Sequence, residues 1–180
     1  MMNMRPNAWS SRLLLSLVIG LAVLLAVIVL LGRAFGDADV HVAKPAPSFV
    51  LKGARGQIIK LADFKDKPLI VCFFATWDNP SQKQVGILND LLKKYSETNL
   101  AVLGLALDQT GDASVQGYAE QQHLRYPLYM ADYSVILAFG GLTAIPTMFV
   151  IDKNQNIIQK YIGITETNVL DADVKAILRQ

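Results

Sequence analysis

The stretch LIVCFFATWDNPS, residues 69–81, decides the fold. Seven of its first nine residues are aliphatic or aromatic. A run this continuous is typical of a central strand covered on both faces, because a strand with one wet face alternates polar and apolar residues. In the polar turn that follows, Asp78 suits the cap of a helix and Pro80 its first turn. The stretch therefore predicts a buried strand that leads into a helix N-terminus, and function is expected where the strand ends.

Helical spacing continues behind this turn and predicts a helix from residue 80 to about residue 95. The apolar positions that carry the spacing are Val85, Leu88, Leu91, Leu92 and Tyr95. A second apolar run, residues 100–107, ends at Asp108. Two buried strands joined by a helix predict a right-handed parallel crossover.

The rest of the domain is predicted to form short strands and helices separated by turn residues. An N-terminal hairpin is predicted over residues 48–52 and 57–61, followed by a turn at 63–68. The later predictions are helices at 114–123 and 168–178, an extended piece at 127–130, a helical turn at 134–139 that Gly140 and Gly141 end, and a hairpin of 147–151 with 157–163.

Two motifs resemble a known family. Trp77 is followed by DNPS where thioredoxin-superfamily proteins have Cys-x-Pro-Cys, and IPTMFVID at residues 145–152 resembles the family's Pro-Thr-x-Phe-x-Ile-Asp segment. The sequence most resembles the membrane-anchored TlpA-type branch of these redoxins, over residues 45 to about 179. The resemblance implies an α/β fold, a thioredoxin-like three-layer sandwich with a central mixed sheet and an N-terminal β-hairpin extension.

The resemblance also implies a peptide groove beside the helix N-terminus. In the family, the proline that matches Pro146 is cis, although an ordinary trans turn is favoured when X-Pro bonds are considered alone. The backbone before that proline pairs with an extended substrate peptide. The implied groove residues are Trp77, Asp78, Asn79, Pro80, Ile145 and Pro146.

The sulfur chemistry of the family is missing from this motif. Thiol-disulfide exchange needs a thiolate at the helix N-terminus and a second thiol one turn later. The resemblance assigns these two positions to Asp78 and Ser81, which lack sulfur, so no catalytic residue is predicted. The chain's one cysteine, Cys72, lies inside the apolar strand, where the family places a buried acid. We expect it to be buried with a raised pKa, and it cannot form an intramolecular disulfide.

Other chemistries have little support. Ser81, His123 and Asp78 supply the residue types of a Ser-His-Asp triad without its motif. His41 and His123 are far apart in sequence, and no His or Cys pair has metal-ligand spacing, so neither a metal nor another cofactor is predicted. The formal net charge of +2 comes without a basic cluster interleaved with aromatic residues, so no nucleic-acid partner is predicted.

Residues 13–31 contain no charge and are long enough to cross a bilayer as a helix. A cleaved signal peptide is the alternative, because Arg5 and Arg12 precede the run and small residues follow it, but the run is longer than a usual signal core. The basic flank predicts residues 1–12 in the cytoplasm. A tether at 32–44 would then connect a transmembrane helix in the cytoplasmic (inner) membrane to an extracytoplasmic, or periplasmic, domain at 45–180.

Two functions from different classes follow. The first is a membrane-tethered binding module that holds an extended peptide or partner protein at the groove, in folding or maturation of envelope proteins. The second is a thiol-disulfide oxidoreductase or cytochrome c maturation factor of TlpA type that works through Cys72 or through a partner's thiols. Fold analogy supports the second function, whereas the residues of the site contradict it.

Overall fold

A computed structural model describes residues 44–53 and 56–179 of the protein. Eight strands lie in this part of the chain: β1 (Lys44–Pro45), β2 (Val50–Lys52), β3 (Ile58–Lys60), β4 (Leu69–Phe74), β5 (Ala101–Ala106), β6 (Leu128–Met130), β7 (Thr147–Ile151) and β8 (Asn156–Ile162). The α-helices are α1 (Asn79–Lys94), α2 (Asp112–Gln121), α3 (Tyr133–Ala138) and α4 (Thr167–Leu178).

A mixed six-stranded sheet has the order β1-β8-β7-β4-β5-β6, and β2 and β3 form a separate two-stranded sheet. β4 pairs in parallel with β5 and antiparallel with β7. Helices α1, α2 and α4 pack on one face of the large sheet. The β2–β3 hairpin and α3 pack on the other face. The predicted α/β fold with a mixed central sheet is therefore confirmed.

β4 is central because it can bond on both edges and bury side chains on both faces. All six of its residues are buried. Ile70, Cys72 and Phe74 pack toward α1 and α4. Leu69, Val71 and Phe73 pack toward the hairpin and α3. The two-faced apolar run in the sequence thus corresponds to a strand with helices or a hairpin on each side.

The N-terminal boundary differs from the prediction in two places. Lys44, assigned to the tether by sequence, forms β1 with Pro45 and pairs with Ile157 of β8. A 3-10 helix, Leu61–Phe64, begins at the last residue of the predicted strand 57–61, runs into the predicted turn at 63–68 and buries Leu61. A two-residue edge strand depends on a partner more than a hundred residues away, so no local pattern marks it.

The predicted membrane span, residues 13–31, lies outside the described residues. Within residues 44–53 and 56–179, no helix has both the length and the apolar character needed to cross a bilayer.

Gly104 on β5 leaves no room for a side chain. A Cβ atom at this position would overlap Leu128 Cδ2 and lie 3.2 Å from Phe74 Cε1. We expect Gly104→Ala to lower the free energy of unfolding by about 1–3 kcal/mol, because the surrounding core is close-packed. Chemical denaturation followed by circular dichroism measures the change.

Gly86 provides the matched control. It is exposed on α1, and a Cβ atom there would have no neighbour within 4 Å. Gly86→Ala should raise the stability by about 0.5–1 kcal/mol, since alanine is the better helix former. Equal effects of the two substitutions would contradict the packing described for Gly104.

Candidate functional site

The site begins where β4 ends. Asp78 is the N-cap of α1: its carboxylate accepts a hydrogen bond from the Ser81 backbone N–H at 2.8 Å, and Pro80 stands in the first turn. The cap satisfies one of the amides that a helix start leaves free and places a negative charge at the positive end of the helix dipole. The predicted capping role of Asp78 is confirmed.

The loop between β4 and α1 is clamped to the end of β5. The Thr76 backbone N–H donates to both carboxylate oxygens of Asp108, at 3.0 and 3.3 Å, and the Thr76 hydroxyl donates to Asp108 Oδ1. Gln82 Nε2 donates to the Thr76 carbonyl at 2.7 Å. Asp108 is buried. Although the sequence places Asp108 at the end of an apolar run, nothing local shows that it bonds Thr76.

Trp77 follows Thr76 in this loop and is exposed to solvent. The Trp77 side chain is 69% exposed, an unusual state for an indole. Together with Leu107, Gln109 and Thr110 it lines a shallow pocket of about 370 Å³. The pocket offers an aromatic wall and polar groups at the carboxyl edge of the parallel strands, where α/β proteins commonly bind ligands.

The second loop of the site precedes β7. The Ile145–Pro146 peptide bond is cis. Thr147 lies opposite Phe73 in the sheet, so this loop meets the edge at which β4 ends. The Pro146 carbonyl accepts a hydrogen bond from the Gly163 N–H at 2.7 Å. Within the described residues, no hydrogen bond involves the backbone of Ile145.

The structure brings the six groove residues named by sequence together where β4 ends and β7 begins. Asn79 and Pro80 are exposed, Asp78 and Ile145 are half-buried, and Pro146 is buried. The surface that remains accessible is therefore an indole, the first turn of a helix and a free segment of backbone.

Ser81 and Gln84 form a buried polar pair on the inner face of α1. Ser81 Oγ and Gln84 Nε2 have no hydrogen-bond partner in the described part of the chain. Gln84 Oε1 accepts from the Thr165 N–H at 2.7 Å and thereby joins α1 to the segment before α4. Gln84 was missed by sequence reasoning, although its spacing from Leu88 and Leu91 places it on the apolar face. The unpartnered Ser81 hydroxyl also makes no contact with His123, so no Ser-His pair forms.

Cys72 lies in the middle of β4 and is 1% exposed. It stands opposite Met148 on β7 and Gly104 on β5. Burial raises the pKa of the Cys72 thiol to about 12. The expectation of a buried thiol with a raised pKa is confirmed. At neutral pH almost none of it is the thiolate that attacks disulfides.

Comparison with known proteins gives the same fold. The model of the AhpC/TSA family matches residues 42–160. The chain belongs to the AhpC/TSA family. Thiol-disulfide oxidoreductase ResA of Bacillus thuringiensis subsp. konkukian is 31% identical over 141 residues, which are 78% of this chain and 81% of the relative.

Solved structures of similar proteins have the same fold. A thiol:disulfide interchange protein of the thioredoxin family from Chlorobium tepidum superposes with a TM-score of 0.69 at 32% identity, covering 79% of this chain and 99% of the other. A DsbF homologue from Corynebacterium diphtheriae shares the fold, with a TM-score of 0.68 at 19% identity over 79% of this chain and 90% of that one. This AhpC/TSA chain is thus a thioredoxin-like protein similar to thiol-disulfide oxidoreductases, and it has one cysteine.

Cys72 should resist thiol reagents in the folded protein. Burial raises the pKa of the Cys72 thiol to about 12, so almost none of it is thiolate at neutral pH, and burial also keeps reagents away from the sulfur. We expect labelling by a maleimide at neutral pH to be slow in native protein and fast in denaturant, as measured by mass spectrometry. Fast labelling of native protein would contradict the burial of the sulfur.

Proposed function

We propose that this protein is a membrane-tethered, extracytoplasmic thioredoxin-like domain of TlpA type that binds an extended peptide without exchanging disulfides. The occupant is a peptide or a segment of a partner protein in folding or maturation of envelope proteins. One observation carries the proposal: a capping carboxylate, Asp78, occupies the helix N-terminus beside an exposed Trp77, while the single thiol is buried in β4.

The absence of exchange follows from the chemistry of the step. A thiolate must attack a disulfide sulfur to form a mixed disulfide, and a second thiol must then release the product. The Asp78 carboxylate keeps the negative charge of such a thiolate and has no sulfur to bond. Cys72 is 1% exposed, so a disulfide cannot approach it while the core is intact.

Binding is supported by the backbone before Pro146. The N–H and C=O of Ile145 are unused by the described residues, and they belong to a half-buried loop that precedes β7 and lies beside the end of β4. An extended peptide can satisfy both groups, as strands do when they add to a sheet. The exposed indole of Trp77 then supplies apolar contact area, because aromatic side chains anchor many interfaces.

The neighbouring segment adds apolar surface to the same loop. Gly163 donates to the Pro146 carbonyl, and the residues on either side of it, Ile162 and Ile164, are exposed. Lys83 on α1 lies 3.5 Å from Glu166 in an exposed ion pair, which contributes little to stability. A peptide with aliphatic side chains at alternate positions fits this surface better than a highly charged one.

The tether is argued from sequence. Residues 13–31 are uncharged and follow Arg5 and Arg12. The charge flank and the length of the run support a single membrane-spanning helix with the domain outside the cytoplasm. A C-terminal alkaline phosphatase fusion tests this topology: activity is expected, whereas an inactive fusion with an active cytoplasmic reporter would contradict it.

Thiol-disulfide oxidoreduction is the second candidate, because the relatives named above carry that activity in their names. In this chain it would need Cys72 or the thiols of a partner.

Peptide binding should be visible through Trp77. In full-length Trp9→Phe protein in detergent, Trp77 is the only tryptophan. An extended peptide with alternating aliphatic residues should shift its emission to shorter wavelength, because the indole leaves water. The same peptide N-methylated at the amide that faces Ile145 should bind roughly 5- to 10-fold more weakly, the cost of about one hydrogen bond.

Anisotropy of a labelled peptide supplies the controls. Trp77→Ala should weaken binding, whereas Leu137→Ala, which truncates an exposed leucine on α3, should leave it unchanged. Equal affinity for the plain and the N-methylated peptide, or equal loss in both variants, would refute a groove at Ile145.

A further inference from the structure

A second exposed surface lies on the outer face of the β2–β3 hairpin. In this antiparallel pair Val50 stands opposite Lys60, and Lys52 stands opposite Ile58. All four side chains are exposed, whereas Leu51 between them is buried. Because successive side chains of a strand point to opposite faces, the solvent-exposed face of the hairpin carries two aliphatic side chains and two lysines.

Helix α3 lies beside the hairpin. Tyr133 and Leu137 are one helical turn apart, and both are exposed. Val50 and three residues of α3 line a common pocket of about 270 Å³, which places the helix beside the hairpin. We call the hairpin and helix residues together the docking face; it consists of Val50, Lys52, Ile58, Lys60, Tyr133 and Leu137.

Large exposed apolar side chains are concentrated on this face. Its four apolar members are between 54 and 73% exposed, and they are half of the eight large exposed hydrophobic side chains among the described residues. Exposed apolar side chains that lie together mark contact surfaces more often than isolated ones do.

Charge is distributed unevenly along the chain. Residues 44–67 contain six Lys and Arg against two Asp, whereas residues 68–180 contain eight against eleven Asp and Glu. Of the acids near the docking face, Asp63 accepts the Lys60 backbone N–H at 2.9 Å and Asp132 caps α3. The two lysines of the face thus lie in a segment that is basic as a whole, with Asp63 and Asp132 close to them, whereas residues 68–180 are acidic as a whole.

Anionic lipid fits this combination. Aliphatic and tyrosine side chains enter the boundary between headgroups and acyl chains, and lysines keep their ammonium groups at the phosphates. Each lysine near an anionic surface shifts the docked-to-undocked ratio about fivefold. A protein partner with an acidic rim would meet the apolar groups as well, but the length of chain before the domain favours lipid.

That length is short. The apolar run ends at residue 31, and residues 32–43 can span at most roughly 43 Å before Lys44. Val50 follows Lys44 by six residues, or at most about 20 Å. A domain held so near a bilayer meets its surface at a high effective concentration.

We propose that the docking face lies on the anionic lipid surface of the membrane and fixes the orientation of the domain. The inference rests on the membrane anchor of the proposed function. Helices α1, α2 and α4 pack on the opposite face of the large sheet and point away from the lipid.

A fluorescent thiol probe tests the contact. In full-length protein reconstituted into vesicles, Ser48→Cys places the probe at the edge of the docking face, and Ala176→Cys places it on α4. Cys72 is buried and stays unlabelled. With brominated lipids in an equimolar mixture of phosphatidylcholine and phosphatidylglycerol, we expect quenching at position 48 and none at 176. In phosphatidylcholine alone, quenching at 48 should fall severalfold.

Charge reversal provides the matched comparison. Lys52→Glu with Lys60→Glu should abolish quenching at position 48. Loss of the two favourable charges alone lowers the ratio of docked to undocked protein about 25-fold. Lys93→Glu with Arg179→Glu, which changes the net charge equally at exposed sites on α1 and beyond α4, should leave it intact.

The outcomes distinguish failure of the docking face from failure of the membrane anchor. Protein that floats with the vesicles but shows no quenching at position 48, or equal quenching in phosphatidylcholine alone, overturns the docking face and leaves the anchor in place. Protein that does not float with the vesicles overturns the anchor, and the docking face with it.

Discussion

The pairing of β4 with β5 on one edge and β7 on the other is the constraint on which the rest of the structure depends. It fixes six consecutive buried residues and thereby both halves of the core. It also decides where function can lie. The parallel edge brings the loop of Thr76 beside Asp108, and the antiparallel edge brings the loop of Pro146 to the end of the same strand.

The site combines the N-terminus of α1 with the loop that precedes β7. The N-terminus of a helix stabilises a negative charge, whichever residue carries it. With Asp78 there, the charge caps the helix. The charge therefore stabilises the start of α1, and the one thiol of the chain is buried elsewhere, in β4.

Local signals predicted most of this fold. The apolar run of β4, the Asp78 cap and the strand at Thr147–Ile151 each depend on neighbours in sequence, and each is found in the structure. Features that depend on distant residues were missed: β1 pairs across the whole domain, and the Thr76–Asp108 clamp joins loops 32 residues apart. Gln84 was overlooked because a polar residue at an apolar helical position is ordinarily expected at the solvent-exposed margin of the helix face, and not in the core.

The proposed function implies that the scaffold keeps the site geometry of the thiol-disulfide oxidoreductases that the chain resembles, although Asp78 and Ser81 stand at the two sulfur positions and Cys72 stands where the family places a buried acid. The most direct measurement is insulin reduction by wild-type protein and by the double variant Asp78→Cys with Ser81→Cys. The helix N-terminus should lower the pKa of the first thiol below its free value of about 8.5, and the i, i+3 spacing should bring the second thiol within reach of it. We expect no activity in the wild type and measurable reductase activity in the double variant. Activity in the wild type, or a folded but inactive double variant, would contradict the account.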